Sequence, residues 1–394
     1  MSGTQILKDL ETIVGSSQLK THSAQTAYYR SGFRSGRGEA LAVVFPQTLL
    51  QLWEILKVCV AADCAIIMQA AKTGLTEGSS PSGSDYDRPV VIINPMRIKK
   101  ITLLDDGKQV LALPGSTLHE LENKLAPIQR VPHSVIGSTT IGASIIGGIA
   151  NNAGGALCKR GSSYTELALF ARVNENGELE LVNHLGIEGL GDSPEEILTA
   201  LEAGNFHPDQ IQGWDKVASD RDYGDRIRQM DAPSPNRYNA DPARLFELSG
   251  SAGKVVAFAA RVDTYPAPKE KQVFFLGTND HQHLVTLRKK ILSDFAELPD
   301  MGEYMDRNIF DTAHRYGKDV FLSIKHLGTA RLPKAYALKS KVEYWLNKVS
   351  FLPKFLPDLF LYYLSQLFPG HLPKRLLEFR DRFEYYLILS TTDD

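Results

Sequence analysis

The sequence predicts an α+β fold divided into more than one domain. Its 394 residues exceed what one hydrophobic core usually supports, and 43% of them are hydrophobic, which excludes a disordered chain. Strand and helix patterns alternate between residues 40 and 69, whereas a β-hairpin pattern follows later. Basic charge is concentrated in residues 325–382, although the net charge of the chain is only −2. A net charge of −2 does not indicate a protein that binds nucleic acid.

The first predicted elements form a parallel crossover unit. Residues 40–45 are apolar and β-branched, residues 48–51 have the pattern of a helix capping box, and residues 65–69 are apolar again. Further strands are predicted at Val90–Ile93, Ile101–Leu104 and 109–113. A helix is predicted to begin after Thr117, because Glu120 completes a second capping box.

The middle of the chain begins with a predicted β-hairpin. Residues 167–173 and 178–183 flank Asn-Glu-Asn-Gly at 174–177, a turn sequence that favours tight hairpins. The next helix is predicted after Ser193, where proline occupies the first helical position and glutamate completes a capping box. Residues 205–240 are polar and rich in Asp and Arg, so we expect an exposed excursion.

A change of domain is predicted after the next strand. Residues 255–262 are apolar, and the following residues 264–271 contain two prolines, as domain boundaries often do. A strand at 272–276 and a helix from about 282 to 295 then begin a new domain.

Two segments concentrate small residues beyond what a packed core requires: residues 68–81, which follow a buried strand, and residues 134–155. Glycines let a backbone approach a ligand and expose its N–H groups, and Ser and Thr add hydroxyls suited to phosphate oxygens. We therefore predict a diphosphate cradle. The alternative is that these glycines only turn the chain. No Gly-x-Gly-x-x-Gly opens a helix, and Gly253-Lys254 precedes Val255, so NAD and ATP are poor candidates.

Several motifs mark a resemblance to a known family. The order of elements up to residue 155 is similar to the FAD-binding fold of vanillyl-alcohol oxidase and its relatives (the PCMH type). Five motifs resemble quinone-dependent D-lactate dehydrogenases of bacterial respiratory membranes. They are residues 33–36, 73–78, 133–137, 238–242 and 302–305. The resemblance covers nearly the whole chain and is looser between residues 330 and 380.

That resemblance implies a domain plan. Residues 1–264 would form the FAD-binding domain of two α+β subdomains, and 265–310 the start of a cap domain. Residues 311–387 would be a basic membrane-binding segment, and 388–394 a return to the cap. Relatives of this family continue further, so residue 394 is expected to end a fragment that lacks the catalytic base.

The resemblance also implies the cofactor contacts. The residues expected to bind FAD are Ala70, Ala71, Lys72, Thr73, Gly74, Gly78, Ser79, Gly137, Ser144, Gly154 and Ala257. For Ala257, a plain core alanine is the alternative. Residues 68–81 contain no His and residues 134–155 no Cys, so the flavin is expected to be held non-covalently. The three cysteines lack metal-ligand spacing, and no metal site is predicted.

No catalytic role is assigned to the other polar residues near these loops. His133 could face the flavin or be a turn histidine bonded to backbone. Arg30, Arg34 and Arg37 could meet an anion or form a solvated basic loop.

Residues 325–382 contain eleven Lys and Arg against four Asp and Glu, a net charge of +7, whereas the rest of the chain sums to −9. Ten aromatic residues are interleaved with these cations. Aromatic rings anchor at lipid headgroups and cations attract anionic lipids, so this basic block is predicted to lie on an anionic phospholipid surface. Residues 359–373 are uncharged but too short to span a bilayer. An ordinary basic surface is the alternative.

Taken with the resemblance, these features predict a peripheral respiratory flavoenzyme on the cytoplasmic face of the inner membrane. It would oxidise D-lactate to pyruvate by hydride transfer to FAD and reduce a membrane quinone. The N-terminus lacks a secretory pattern, and three cysteines suit a reducing compartment. Two rivals remain: an enzyme of the same superfamily that oxidises another 2-hydroxy acid or an alcohol, and a non-enzymatic membrane-binding module.

Overall fold

The structure is a computed structural model that divides into two compact units. The first unit comprises Met1–Gly155, Arg160–Arg221 and Arg237–Ala267, and the second comprises Ala156–Lys159, Asp222–Asn236 and Pro268–Asp394. The structure describes residues 1–33, 35–134, 142–236, 238, 241–244, 246–251, 253–327, 331, 338–339, 342, 345–346 and 356–393.

The first unit contains three sheets, the smallest of which pairs two short strands at 130–131 and 265–266. Its described helices are α1 (Gly3–Val14), α2 (Ser23–Thr26), α3 (Leu49–Ala61), α4 (Leu118–Leu125), α5 (Ile145–Ala150) and α6 (Pro194–Ala203). Its described strands are β1 (Leu19–Lys20), β2 (Ala42–Val44), β3 (Ala65–Met68), β4 (Val90–Ile93), β5 (Ile101–Leu104), β6 (Gln109–Ala112), β7 (Arg130–Val131), β8 (Ala168–Val173), β9 (Leu179–Asn183), β10 (Val256–Asp263) and β11 (Tyr265–Pro266). The four-stranded sheet has the order β1-β2-β4-β3, and the five-stranded sheet has the order β5-β6-β10-β8-β9.

The predicted parallel crossover is confirmed, with one strand added. Strands β2 and β3 both run parallel to β4, which lies between them. The helix that joins them, α3, starts after Thr48, whose Oγ1 accepts from the N–H of Gln51 at 3.0 Å. The second half of the predicted capping box is wrong, because Gln51 Oε1 accepts instead from the N–H of Gln47 at 2.8 Å.

The antiparallel elements also follow the predictions. Strands β8 and β9 form the expected hairpin. The capping boxes at Thr117 and Ser193 are both complete, and they begin α4 and α6. The strand predicted at 255–262 is β10, shifted by one residue. It occupies the middle of the five-stranded sheet and pairs antiparallel with β6 and β8.

Both faces of the five-stranded sheet are buried. One face shares a core with α1, α3 and the four-stranded sheet, in which Phe258 of β10 packs near Trp53 of α3. The opposite face is covered by α4 and α5, whose Leu121, Ile145 and Ile149 are buried against β6, β8 and β10. Helix α5 is short, but this apolar contact fixes its position.

The central strand β10 carries a buried charge. Arg261 is 0% exposed, and burial lowers its pKa to about 10, so it stays protonated at neutral pH. Its Nη2 donates to Gln109 Oε1 at 2.7 Å, and its Nη1 donates to the carbonyls of Leu185 at 2.7 Å and Gln212 at 2.6 Å. The guanidinium also lies 4.7 Å from the ring of Trp214. Among the residues that the structure describes, these contacts satisfy the charge without a carboxylate in direct contact.

The second unit has one described sheet, of three strands. Its described helices are α7 (Tyr223–Ile227), α8 (His281–Asp294), α9 (Arg307–Tyr316), α10 (Lys318–Leu327), α11 (Leu356–Gln366) and α12 (Lys374–Arg382). Its strands are β12 (Glu270–Thr278), β13 (Met301–Asp306) and β14 (Tyr385–Asp393), in the antiparallel order β12-β14-β13. The predicted strand at 272–276 is therefore longer on both sides. Within the part of the chain that the structure describes, no helix combines the length and apolarity needed to cross a bilayer.

The excursion at 205–240 is exposed or half-buried over most of its described residues, as predicted, but 218–220 are buried. Helix α7 within it was not predicted. A sequence pattern of polar residues hides such a short helix, because its stability comes from packing.

Replacing Arg261 by Met should lower the free energy of unfolding by about 3–5 kcal/mol, because the carbonyls of Leu185 and Gln212 and the amide of Gln109 lose their buried donor. Urea denaturation followed by tryptophan fluorescence would measure this. The control is Arg172→Met on β8, whose exposed ion pair with Glu180 should leave stability nearly unchanged. Equal effects of the two substitutions would contradict the role given to Arg261.

Candidate cofactor site

The first small-residue loop follows β3 and is closed by a buried glutamine. Gln69 is 1% exposed, and its Nε2 donates to the carbonyls of Tyr29 at 2.7 Å and Ser79 at 2.6 Å. The carbonyl of Ala70 accepts from Asn94 Nδ2 at 3.3 Å. Both ends of the loop are therefore tied to the carboxyl end of the four-stranded sheet.

In this loop, the residues with a strained, left-handed backbone are not the glycines. Lys72 and Glu77 have φ of 60° and 63°, a region that L-residues rarely adopt. Gly74 and Gly78 lie outside that region, and a Cβ built on either one would meet nothing within 4 Å. Neither turn geometry nor packing requires glycine at these two positions. Both glycines are exposed, so the space beside each is open to solvent.

Two side chains of this loop point away from it. Glu77 accepts from Ser35 Oγ at 2.5 Å. Lys72 is buried, with its Nζ 2.5 Å from the carbonyl of Tyr28 and 3.5 Å from the centroid of the Tyr28 ring. The Glu77 carboxylate is thereby held against the segment before β2.

The second small-residue loop is described from residue 142 onward, so Gly137 lies outside the described residues. Gly142 has φ of 93°, which favours glycine. Ser144 caps α5, because its Oγ accepts from the N–H of Gly147 at 3.1 Å. A Cβ on Gly147 would lie 2.6 Å from that oxygen. Ser144 is thus committed to the helix cap, and Gly154 is buried near the end of the loop.

The two loops meet at their tips. Thr76 Oγ1 of the first loop donates to Asn151 Oδ1 of the second at 3.4 Å. Close by in sequence, Asn152 has φ of 52° and is buried, and its Oδ1 has no hydrogen-bond partner among the described residues. The structure therefore brings together the two segments that the sequence singled out. It leaves a buried acceptor at the second of them.

A serine pair that the sequence reasoning missed anchors the second loop. Ser134 Oγ lies 3.1 Å from Ser163 Oγ, and both side chains are buried. The N–H of Ser163 donates to the carbonyl of Ala153 at 2.9 Å. Ser163 therefore joins the first residue of the loop to Ala153, near its end. The small residues at 161–163 were the available signal.

A second missed feature is the segment just before α4. A Cβ on Gly115 would lie 2.7 Å from the carbonyl oxygen of Pro95, so only glycine fits there. The next residue, Ser116, donates from Oγ to the carbonyl of Lys100 at 2.8 Å, and its own carbonyl accepts from the N–H of Ile145 at 3.0 Å. This segment fixes the start of α5 against β5.

The remaining predicted residues fall in different places. Ala257 lies on β10, is buried in the core beside α5, and precedes a bulge between Ala257 and Ala259. The interpretation of Arg30 as part of a solvated loop is wrong, since it is 2% exposed, donates to Thr26 and Ser23, and pairs with Glu39.

Of the other two arginines in that loop, Arg37 is exposed and Arg34 lies outside the described residues. His133 is buried, and neither of its ring nitrogens has a hydrogen-bond partner among the described residues.

Two families match the chain: "FAD binding domain" over residues 40–182 and "D-lactate dehydrogenase, membrane binding" over residues 273–394. The quinone-dependent D-lactate dehydrogenase of Escherichia coli (strain K12) is 53% identical over 98% of this chain and 68% of its own length. The enzyme of the same name from Haemophilus influenzae is 52% identical over 99% of this chain and 69% of its length.

Solved structures support the fold. p-Cresol methylhydroxylase with substrate bound aligns with a TM-score of 0.53 at 13% identity, covering 99% of this chain and 61% of that one. Alkyldihydroxyacetonephosphate synthase aligns with a TM-score of 0.55 at 13% identity, covering 98% of this chain and 57% of that one. The predicted α+β fold of the PCMH type is therefore confirmed.

The residues present fit an FAD site. Positions 74 and 78 leave space that a Cβ would fill, and Asn152 Oδ1 and the His133 ring are buried polar groups with no partner among the described residues. Backbone N–H groups and hydroxyls in glycine-rich loops are the donors that diphosphates take. Both loops lie within residues that match the FAD binding domain.

Gly74→Ala and Gly78→Ala should leave the unfolding midpoint of the FAD-free protein unchanged, because the added methyl group meets no atom there. Each should weaken FAD binding about tenfold or more if the cofactor occupies that space, a loss of about 1.4 kcal/mol. Quenching of flavin fluorescence on titration would measure the affinity.

Gly177→Ala in the β8–β9 turn is the reciprocal control. Its φ of 80° strains any other residue, so this substitution should lower stability and leave FAD affinity unchanged. If both loop variants bind FAD as well as the unaltered protein does, the prediction is wrong and these glycines only turn the chain.

Proposed function

The chain belongs to the quinone-dependent D-lactate dehydrogenase family, and from that premise we propose its function. It is an FAD-dependent oxidoreductase that oxidises D-lactate, and it associates with a membrane. Identity of 53% over 98% of the chain carries this conclusion. We propose that the product is pyruvate and that the electron acceptor is a membrane quinone.

Bound FAD supplies the acceptor for the hydride from C2 of the substrate and a carrier for electrons on their way to the quinone. In this proposal, the backbone and hydroxyls of residues 70–74, 78 and 79 hold the diphosphate. Gly137, Ser144 and Gly154 line the rest of the cofactor, and Ala257 contacts it from β10. Without His in 68–81 or Cys in 134–155, the attachment is non-covalent.

The contacts around the loops support this assignment. Gln69 and Asn94 hold the first loop open beside the sheet, and Ser163 closes the second. Substrate oxidation also needs a base for the hydroxyl proton. No described side chain is assigned that role.

The native protein, loaded with FAD under anaerobic conditions, should lose its visible flavin absorbance much faster with D-lactate than with L-lactate or glycolate. Adding a soluble quinone should then restore the absorbance, because the quinone takes up the electrons. Equal bleaching by all three acids would replace the proposed substrate with a broader 2-hydroxy acid class. A failure of quinone to restore colour would remove the proposed acceptor.

We propose the same domain plan that the sequence suggested: FAD-binding domain 1–264, start of the cap 265–310, membrane-binding segment 311–387 and cap 388–394. The exposed apolar side chains within the third of these support it. Helix α11 presents Phe360 at 63% exposure and Tyr363 at 66%, and Leu367 just after it is 81% exposed. Residues 360, 363 and 367 recur at helical spacing, so they share one face.

Helix α10 extends this apolar surface. Val320, Phe321 and Ile324 are exposed at a spacing that places them on one face of α10. Of the cations in the basic block, Lys374 is 90% exposed and Lys339 pairs with Asp358. Apolar side chains that enter the headgroup region and cations that remain at its surface are the two components of an interfacial lipid contact.

The partner proposed for this surface is an anionic phospholipid bilayer. The cytoplasmic leaflet carries a negative surface potential, which favours the cytoplasmic face for a block of net charge +7. Tyr336, Tyr344, Phe351 and Phe355, which also belong to the predicted aromatic set, lie outside the described residues.

Cosedimentation with anionic phospholipid vesicles should weaken as salt rises, because the screening length falls from roughly 10 Å at 0.1 M. The part of the binding that survives high salt should be lost in the variant F360A/L367A. Because Phe360 and Leu367 are mostly exposed, removing their side chains should not destabilise the fold. The variant K374Q/R375Q should instead reduce the salt-sensitive component.

Phe274→Ala provides the matched control, since Phe274 is an exposed phenylalanine on β12. It should bind vesicles like the unaltered protein. Neutral vesicles should bind more weakly than anionic ones. If F360A/L367A binds as well as the control at high salt, the α11 face is not the lipid contact.

A further inference from the structure

His133 is a buried imidazole without a hydrogen-bond partner in the described part of the chain. It is 5% exposed, and both Nδ1 and Nε2 lack a described partner. Most buried polar side chains in folded proteins are hydrogen-bonded, and an unpaired one lowers the stability of the fold. Such a group calls for a ligand, a water or a further segment of chain.

The position of His133 is fixed from both sides. The carbonyl of Pro132 accepts from Arg160 Nη1 at 3.0 Å, and the Arg160 guanidinium lies 3.8 Å from the centroid of the Tyr265 ring. On the other side, Ser134 is joined to Ser163 at the anchor of the second loop. The imidazole therefore lies next to the point where Ser163 joins the start of that loop to Ala153.

The ring is uncharged at physiological pH. Burial, reinforced by the positive charge of Arg160, lowers the pKa of His133 to about 4, and Asp263 opposes this only weakly. A neutral imidazole offers one N–H donor and one acceptor nitrogen. A diphosphate takes donors and favours cations, whereas the polar edge of the flavin ring alternates donor and acceptor atoms. The neutral imidazole, with one donor and one acceptor, therefore complements the polar edge of the flavin ring better than a diphosphate.

We propose that His133 positions the cofactor by hydrogen-bonding the polar edge of the flavin ring. The inference rests on FAD binding as proposed above, and it adds a residue that is absent from the expected cofactor contacts. The buried, unpartnered imidazole at the junction of the second loop carries it. The competing interpretation is that the imidazole bonds to the chain itself, and the test separates the two.

The test compares His133→Phe and His133→Gln with unaltered protein, in FAD-free and FAD-loaded form. If the ring has no partner without FAD, the phenylalanine variant should unfold at the same temperature as the unaltered protein, or higher, when FAD is absent. Its dissociation constants for FAD and FMN should rise by the same factor, about tenfold, since both cofactors contain the flavin ring. The absorption spectrum of its bound flavin should also shift, and the glutamine variant should fall in between.

ADP serves as the probe for the other half of the site. His133→Phe should leave its dissociation constant unchanged. An equal loss of ADP affinity would place the contact at the diphosphate and overturn the assignment to the ring. The matched control is His119→Phe on α4, where an exposed histidine bonds to Asn123 and no effect on any of these ligands is expected.

Two further outcomes are decisive. If His133→Phe destabilises the FAD-free and FAD-loaded proteins equally, with unchanged FAD affinity, the imidazole bonds to the chain and the inference is wrong. If the unaltered protein takes up no FAD, the proposed function fails first. Measuring FAD uptake by the unaltered protein therefore distinguishes failure of the proposed function from failure of the inference about His133.

Discussion

The charge of Arg261 in the middle of the five-stranded sheet is the interaction on which the first unit depends. Its guanidinium bonds to Gln109 on β6 and to the backbone at Leu185 and Gln212. Gln109 in turn donates to Asp263, which lies on β10 two residues after Arg261. A charge with no exposed surface must be fully hydrogen-bonded, so none of these segments can move without leaving it unpaired. The sheet is held in register by electrostatics as well as by its ladder.

A fixed sheet explains how a helix of only six residues can define a site. Helix α5 is stabilised by the buried face of that sheet, and its first residue, Ile145, is held by the carbonyl of Ser116. Ser116 is placed by the tight contact of Gly115 with the backbone at Pro95. The second loop is therefore positioned by a chain of backbone contacts that begins in the core. Its own sequence contributes little apart from small residues.

Sequence patterns predicted the parts of this architecture that local rules determine. The strand Val90–Ile93 and the capping boxes at Thr117 and Ser193 depend on residues within a few positions of each other. The Ser134–Ser163 contact spans 29 residues, so the small residues at 161–163 were a signal for a tight segment but not for its partner. The burial of Arg30 follows from tertiary packing and had no local signal. The residues assigned to FAD came from a family resemblance. Periodicity could not have predicted them, because a binding site depends on contacts between residues that are distant in sequence.

The two loops contribute to a cofactor site in different ways. The first is held in place by Gln69, whose Nε2 ties its two ends, and by the contacts around the strained backbone at Lys72 and Glu77. Its rigidity lowers the entropy lost when a ligand binds. Within the described part of the chain, the second loop retains a buried acceptor without a partner at Asn152 Oδ1 and, beside its anchor, a buried imidazole without a partner at His133. Gln69 Oε1 of the first loop is also buried without a partner among the described residues. A ligand that bonded to any of these atoms would remove an existing desolvation penalty, so part of the favourable change on binding should come from them, while the glycine-rich backbone of the first loop supplies shape.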